Sequence, residues 1–327
     1  MAVFAIASTA SKPMNADNSV PSQPLITPAP LQPGDRIAIL SPAGAPRPQD
    51  VYNAIEVLRA EGWDPYLTPH ALGRSGTFSG TPEERLADLR GALTDSATRA
   101  IICTRGGYGA VHLLDSLDSL PFRDNAKWLV GFSDISALHA LMHRHGIASI
   151  HGPMCKHIAA ADTTRADTTG IYARALFGLL RGEPMDYRIG AHPLNRAGRA
   201  EGTLVGGNLA VLQGLIDTPY DMLRPGTILF IEDIAEPVYK VERILWQLRM
   251  SGVLKRLAGL IVGDFTDYEP DVNHDSMESM IASMVAGYGY PVAFGVPVGH
   301  GGRNLPLVEG AGVEFTVGDD SVILRSK

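Results

Sequence analysis

Continuous apolar runs, each followed by a turn and a helical pattern, dominate the first half of this 327-residue chain. Three of them cover residues 36–40, 100–103 and 128–132. Because these runs do not alternate with polar residues, the strands they form must be buried on both faces. Parallel sheets covered by helices have this property. The pattern therefore predicts an α/β fold with a parallel sheet in the N-terminal domain.

Capping and stop signals bound the helices between these strands. A helix is predicted over residues 49–61, with Gly62 after it as the stop. Residues 81–84, Thr-Pro-Glu-Glu, form a capping box with proline at the first helical position. Ser133 is predicted to open a further helix directly after the third strand.

The domain prediction divides the chain into four parts. Residues 1–30 are rich in Ala, Ser and Pro and are predicted to form a disordered leader. Residues 31–152 are predicted to form the N-terminal α/β domain. The weak pattern over 153–198 indicates a linker region, with one helix at 172–180. Residues 199–327 are predicted to form a mixed α/β C-terminal domain.

Composition and charge exclude several classes of protein. The net charge of −7, from 28 Lys+Arg and 35 Asp+Glu, lacks the basic excess of nucleic-acid binders. Two cysteines, Cys103 and Cys155, are too few for a disulfide framework or a four-thiolate zinc site. No apolar run approaches the roughly 20 residues that span a bilayer, and residues 2–7 are too short for a secretory signal. We therefore expect a soluble cytoplasmic protein with no nucleic-acid and no membrane partner.

The sharpest candidate for chemistry is the run Gly131-Phe132-Ser133-Asp134. A serine at a tight turn between a buried strand and a helix resembles a nucleophile elbow, although Ile135 replaces the second glycine of G-x-S-x-G. The backbone N–H groups of the new helix would lie beside an oxyanion formed there. The alternative is that Ser133 only caps the helix.

A glycine-rich turn, Arg105-Gly106-Gly107-Tyr108-Gly109, follows the second strand. Successive glycines allow backbone N–H groups to converge on an anion. The turn matches neither phosphate-binding glycine motif, so a nucleotide site is poorly supported. An ordinary tight turn is the alternative.

Two further residues complete a possible triad. Glu232 follows an apolar strand, and His300 lies in a glycine-rich loop. With Ser133 they occur in the chain order serine, acid, histidine, each at or just beyond a predicted strand end. The set would supply a nucleophile, a base and an orienting acid.

A metal site is the competing interpretation. His139 and His143 have the i, i+4 spacing of H-E-x-x-H, but Ala140 replaces the glutamate that would act as general base. No downstream carboxylate motif completes a ligand set. We therefore expect no metal and no organic cofactor.

Several separate runs occur together in the order found in one family. The chain resembles the serine LD-carboxypeptidases, the muramoyltetrapeptide carboxypeptidases of bacterial cell-wall recycling, over about residues 31–327. The matching runs are Gly34-Asp35-Arg36, Ser41-Pro42, the turn at 105–109, Gly131-Phe132-Ser133-Asp134, His151-Gly152-Pro153-Met154, residues 202–209, Ile231-Glu232-Asp233 and Gly299-His300-Gly301.

The resemblance implies an N-terminal nucleophile domain and a C-terminal domain with the active site between them. It implies a triad of Ser133, Glu232 and His300. The implied oxyanion donors are the backbone N–H of Asp134 and of a glycine in the turn at 105–109, for which Gly107 is chosen.

The implied substrate is a small muropeptide that loses its terminal D-alanine. Arg105 and Arg303 are the candidates for reading its free carboxylate, and Asn208 is assigned to substrate binding. His112 departs from the family, which often carries arginine there. A homodimer is left open.

Two other functions stay in consideration. A related serine hydrolase of the microcin-immunity type would use the same triad on peptidyl- or aminoacyl-nucleotides. A non-catalytic protein could use the same interdomain cleft to bind a ligand, although a binder does not need a serine, a base and an orienting acid together.

Overall fold

The computed structural model describes residues 25–160 and 168–327. The strands and helices follow one another along both halves of the chain. Up to residue 160 they are β1 (Arg36–Leu40), α1 (Pro48–Ala60), β2 (Asp64–Leu67), α2 (Pro82–Thr94), β3 (Thr98–Cys103), α3 (Leu114–Leu117), β4 (Trp128–Gly131), α4 (Ser136–Arg144), β5 (Ser149–His151) and α5 (Cys155–Ala159). From residue 168 they are α6 (Thr168–Leu180), β6 (Asp186–Gly190), β7 (Gly198–Asn208), α7 (Leu209–Gln213), β8 (Thr227–Ile234), α8 (Val238–Met250), α9 (Val253–Arg256), β9 (Gly259–Thr266), α10 (Met277–Val285), β10 (Val292–Ala293), β11 (Leu307–Glu309), β12 (Gly312–Val317) and β13 (Ser321–Ser326).

The first sheet confirms the predicted parallel architecture. Its six strands lie in the order β11-β5-β4-β3-β1-β2. The five strands from the first half of the chain pair in parallel, and β1, β3 and β4 are almost wholly buried. The continuous apolar runs thus arise from strands covered on both faces.

The second sheet is mixed, as predicted for the C-terminal domain. Its seven strands lie in the order β10-β9-β8-β7-β12-β13-β6. Strands β7 to β10 pair in parallel, whereas β12, β13 and β6 add to β7 in antiparallel pairs. The mixed α/β fold with two sheets is therefore confirmed.

The first residues that the structure describes depart from the expected disordered leader. Ile26 forms a parallel bridge with Ile147, and the Ala29 carbonyl accepts a hydrogen bond from the Trp128 indole at 3.2 Å. Ordered chain therefore reaches back at least to residue 25, and residues 1–24 of the expected leader lie outside the described residues. Backbone pairing of this kind leaves no periodic apolar pattern in the sequence, so the sequence did not predict it.

The expected linker at 153–198 also differs from the structure. Its described part contains α5, α6 and β6, and α6 begins at Thr168 instead of near 172. Leu176 and Phe177 of α6 are fully buried in a core shared with the first sheet, and β6 pairs with β13. The segment thus packs against the first sheet through α6 and joins the second sheet through β6. Its local sequence pattern is weak because long-range contacts, and not local periodicity, determine how it is buried.

One strand returns from the C-terminal part to the first sheet. Strand β11 lies in sequence between β10 and β12 of the second sheet, but it pairs in antiparallel register with β5 of the first sheet. No helix among the described residues is long and apolar enough to cross a membrane.

Candidate active site

Ser133 occupies a strained turn at the carboxyl end of β4. Its φ of 66° lies in the left-handed region, which residues other than glycine rarely adopt. A helix N-cap has extended backbone and a side chain that accepts a helix N–H, whereas here the extended residue is Phe132 and the turn has no side-chain cap. The capping interpretation of Ser133 is therefore wrong. The strain exposes the hydroxyl at the end of the sheet.

His300 joins Ser133 to Glu232. Its Nδ1 lies 2.7 Å from the Glu232 Oε2, and its Nε2 lies 3.0 Å from the Ser133 Oγ. Because an ionised carboxylate only accepts, Nδ1–H donates to Glu232 and Nε2 is left to accept from the serine hydroxyl. The structure thus brings together the three residues that the sequence nominated.

Close packing holds the acid against the histidine loop. Glu232 is fully buried in β8. Gly299 has a φ of 123°, and a Cβ there would lie 2.9 Å from both Cβ and Oε2 of Glu232. Only glycine therefore lets this loop approach the carboxylate and present His300 to it.

The environment of His300 has opposing electrostatic effects. Burial, including contact with the Phe132 ring at 4.9 Å between centroids, disfavours the charged imidazolium. The hydrogen bond to Glu232 and its negative charge favour the imidazolium, with smaller contributions from Asp233 and Asp267. The pKa of His300 is raised above its ordinary value as the net result.

The glycine-rich turn after β3 lies against the nucleophile. A Cβ on Gly106 would lie 2.7 Å from the Ser133 Cβ and 3.2 Å from the Asp134 amide nitrogen. Gly107 has a φ of 106°. Within the described part of the chain, the backbone N–H groups of Gly107 and Asp134 donate no hydrogen bond. Two N–H groups without an acceptor, on turns that pack together at Ser133, are candidate donors to an anion.

The side chain of Asp134 has a role that the sequence did not indicate. Its carboxylate is buried and accepts a hydrogen bond of 2.8 Å from the Ala110 amide. Burial raises the pKa of Asp134, while that hydrogen bond and the charges of His112 and Arg85 act in the opposite direction. Arg85, also absent from the predicted site, is buried nearby.

Asn208 lines the site, but its amide group is engaged. Its Nδ2 donates to the Asp233 Oδ1 at 2.8 Å, and its Oδ1 accepts from the Val211 amide, so it caps α7. Burial raises the pKa of Asp233 to about 6. The side chain predicted to bind substrate thus also anchors a helix.

Two cavities meet at Ser133 and Gly107. The lining of one, of about 500 Å³, includes Tyr108, Asp233, Glu236 and Lys240. The other, of about 420 Å³, contains His300, and its lining includes five Asp, Lys and Arg side chains: Arg47, Asp50, Arg105, Lys156 and Asp267. The nucleophile is therefore accessible from two sides that differ in charge.

The two arginines proposed to read a carboxylate lie in different places. Arg105 lines the cavity that contains His300, and its Nη1 donates to the Ala45 carbonyl at 3.1 Å. Arg303 is exposed and pairs with Asp264 at 3.2 Å, and neither cavity described above includes it. The structure thus brings Arg105, and not Arg303, next to the nucleophile.

The histidine pair that the spacing suggested as metal ligands is not assembled. His139 is buried, and its ring nitrogens lie 2.8 Å from the Ser149 Oγ and 2.9 Å from the Gly131 carbonyl. Burial lowers the pKa of His139 to about 4. Its candidate metal-ligating neighbours in the described chain are His151 and Glu309, not His143.

A serine, a histidine and a buried carboxylate in one hydrogen-bonded chain, above a parallel sheet, define the fold and site as those of an α/β serine peptidase. The LD-carboxypeptidase N-terminal domain matches residues 37–152, and the LD-carboxypeptidase C-terminal domain matches residues 201–315. The chain belongs to the LD-carboxypeptidase family. It is a serine-type carboxypeptidase, which confirms the enzyme class expected from the sequence.

Individual relatives agree with this assignment. The murein tetrapeptide carboxypeptidase of Pseudomonas aeruginosa is 34% identical over 278 residues, covering 82% of this chain and 89% of its own. The crystal structure of muramoyltetrapeptide carboxypeptidase from Oxalobacter formigenes has a TM-score of 0.80 and 30% identity, covering 89% of this chain and 98% of its own. The microcin C7 self immunity protein in its wild-type apo state has a TM-score of 0.77, covering 92% and 99%, but at 20% identity it shows the fold alone.

The contact between Gly106 and Ser133 leads to a prediction. Gly106→Ala should place a methyl group only 2.7 Å from the Ser133 Cβ and so displace the serine side chain. The rate at which the Ser133 hydroxyl reacts with a fluorophosphonate should fall by about 10²-fold or more. The reaction rate is followed by mass spectrometry. The control is Gly91→Ala, because a Cβ there meets nothing within 4 Å; equal labelling of the two variants would contradict the crowding.

Proposed function

We propose that this protein releases the terminal D-alanine from muropeptide tetrapeptides by cleaving an LD-peptide bond, as a cytoplasmic step of peptidoglycan recycling. Ser133 is the nucleophile, His300 the base and Glu232 the group that orients the base. The observation that carries the proposal is the continuous hydrogen-bonded chain from the Ser133 Oγ through the His300 ring to Glu232. The names of the relatives support the substrate class.

In the first step, His300 Nε2 takes the proton of the Ser133 hydroxyl while Oγ attacks the scissile carbonyl. Glu232 keeps the second proton of the ring on Nδ1 and stabilises the imidazolium that forms. The carbonyl oxygen becomes an oxyanion, and the amides of Gly107 and Asp134 donate to it.

In the second step, the imidazolium gives its proton to the leaving amine, and an acyl-enzyme forms on Ser133. A water molecule then attacks the acyl group, with His300 again as the base, and the shortened peptide leaves. Both halves of the reaction use one histidine because its Nε2 can reach Ser133 and the leaving nitrogen in turn.

The position of His300 supports an assignment of the two cavities to the two parts of the substrate. The leaving amine must lie beside the group that protonates it, so the terminal D-amino acid occupies the cavity that contains His300. The remaining peptide then extends into the larger cavity beyond Gly107 and Asn208. Arg105, at the leaving-group side, is the cation that reads the free carboxylate.

The microcin-immunity type of activity remains the second candidate. Structural likeness supports it, because the microcin C7 self immunity protein shares the fold. The opposing observation is that relatives of 30% identity or more carry carboxypeptidase names.

The two functions are separated by incubating the protein with a murein tetrapeptide and, separately, with an aminoacyl-adenylate analogue. We expect free D-alanine and tripeptide from the first and no product from the second, by mass spectrometry. Ser133→Ala should lose turnover by more than about 10⁴-fold while keeping its fold, because only the nucleophile is removed. Cleavage of the adenylate alone would contradict the proposed substrate, and an active Ser133→Ala variant would contradict the mechanism.

Arg105→Gln should raise KM for the tetrapeptide by about 10-fold or more, because a charge-assisted contact to the carboxylate is lost. The KM of the same variant should not change when the terminal carboxylate of the peptide is amidated, whereas the KM of the wild-type enzyme should rise. Arg303→Gln is the matched control and should behave as wild type. If Arg303→Gln loses affinity and Arg105→Gln does not, the assignment of the carboxylate site is wrong.

The raised pKa of His300 predicts a pH profile. The base must be neutral, so kcat/KM should rise with pH along a limb whose midpoint lies above the ordinary histidine value of about 6.5. Glu232→Gln removes the charge that favours the imidazolium while burial remains, so the midpoint should move to lower pH. The rate should also fall by about 10²–10⁴-fold, because a glutamine can hold the wrong tautomer.

Glu242→Gln supplies the control for this experiment, because Glu242 also pairs with a histidine, His274, but does so away from the site. Its pH profile should match the wild type. A midpoint that stays in place in Glu232→Gln would contradict the role of Glu232.

A further inference from the structure

Arg85 is a cation buried behind the glycine-rich turn. It lies in the first turn of α2 and is only 1% exposed. Its guanidinium stands over the Phe78 ring at 5.0 Å and near the His112 Nδ1 at 3.5 Å. Because a buried guanidinium is costly, its few polar partners indicate what it stabilises.

The two shortest hydrogen bonds of Arg85 go to backbone carbonyls of the two loops around the nucleophile. Arg85 Nη1 donates to the Pro42 carbonyl at 2.6 Å and to the Gly109 carbonyl at 2.9 Å. The same two loops are also joined by the Gly44 amide, which donates to the Gly106 carbonyl at 2.9 Å. One guanidinium nitrogen therefore ties the loop after β1 to the end of the turn that carries Gly107.

The other side of the same peptide unit is held by the nucleophile turn. The Gly109 carbonyl and the Ala110 N–H belong to one planar peptide group. The Asp134 carboxylate accepts from that N–H at 2.8 Å, while Arg85 donates to the carbonyl. A cation at the oxygen and an anion at the hydrogen align this peptide dipole and oppose its rotation.

Space around this peptide unit is also restricted. Gly109 has a φ of 115°, and a Cβ there would lie 3.0 Å from the Arg85 Nη1 and 2.8 Å from the Phe78 ring. The turn that ends at Gly109 therefore packs tightly against the guanidinium and the aromatic ring.

We propose that Arg85, together with the Asp134 carboxylate, clamps the Gly109–Ala110 peptide unit and so positions the Gly107 amide for the oxyanion; this inference rests on the proposed serine mechanism. Arg85 touches no reacting atom and is a positioning residue. Asp134 contributes twice, because its backbone N–H faces the oxyanion and its side chain holds the opposite turn.

The test measures the rate at which a fluorophosphonate reacts with Ser133, since that reaction needs the oxyanion donors but no peptide. Arg85→Met should lower the second-order rate constant by about 10–100-fold, and Arg85→Lys should recover part of the loss by keeping a charged donor. With a cleavable peptide, kcat should fall in parallel while KM changes by less than about 3-fold. Arg90→Met is the matched control on the same helix, because Arg90 is exposed and its guanidinium makes, among the described residues, one hydrogen bond, to the Ser116 carbonyl at 3.4 Å.

Asp134→Asn tests the opposite side of the peptide without removing a buried cation. It should also slow the fluorophosphonate reaction, and the double variant with Arg85→Lys should lose less than the product of the two single losses, because both act on one peptide unit. Near-ultraviolet circular dichroism confirms that each variant is folded. Three results would overturn the inference. The Arg85 and Asp134 variants could react as fast as Arg90→Met, they could change KM without lowering kcat, or the double variant could show the full product of the two single losses. A wrong substrate proposal gives a different result: wild-type protein that reacts with the probe but leaves the tetrapeptide intact.

Discussion

The His300 imidazole is the contact on which the rest of the site depends. Ser133 stands at the end of a strand of the first sheet, and Glu232 lies in a strand of the second, so the two hydrogen bonds of this ring span the boundary between them. The Glu232 carboxylate is buried and hydrogen-bonded to this ring, and Gly299 permits the close approach of the histidine loop to the carboxylate. The ring keeps one tautomer because the carboxylate can only accept.

This contact requires that the two sheets hold a fixed relative position. Two hydrogen bonds across the boundary contribute to it: the Asn208 backbone N–H donates to the Ser136 Oγ at 3.0 Å, and the Gly206 backbone N–H donates to the Glu309 carboxylate at 3.4 Å. Strand β11 adds to the same effect by pairing with β5. Because backbone groups make most of these contacts, the geometry of the triad is set before a substrate arrives.

Buried charged groups concentrate around the nucleophile. Glu232, Asp134 and Arg85 are all nearly inaccessible to solvent, although a core of apolar residues would be less costly. Each holds a backbone group or a ring in the orientation that the proposed reaction needs. Stability and function therefore draw on the same interactions, and the strained φ of Ser133 persists because its surroundings determine it.

Local pattern by itself determined the strands at β1, β3 and β4, the capping box of α2 and the serine turn, because burial on both faces and turn chemistry leave a periodic or compositional trace. The chain order of Ser133, Glu232 and His300 nominated the triad, but only the tertiary structure brought them within hydrogen-bond distance. Tertiary structure alone also placed β11 in the first sheet, separated Arg105 from Arg303, and paired Arg85 with the Asp134 carboxylate across one peptide group. These features join segments that are far apart in sequence. The periodicity of a segment indicates which of its faces is buried, but it does not indicate which distant segment packs against that face.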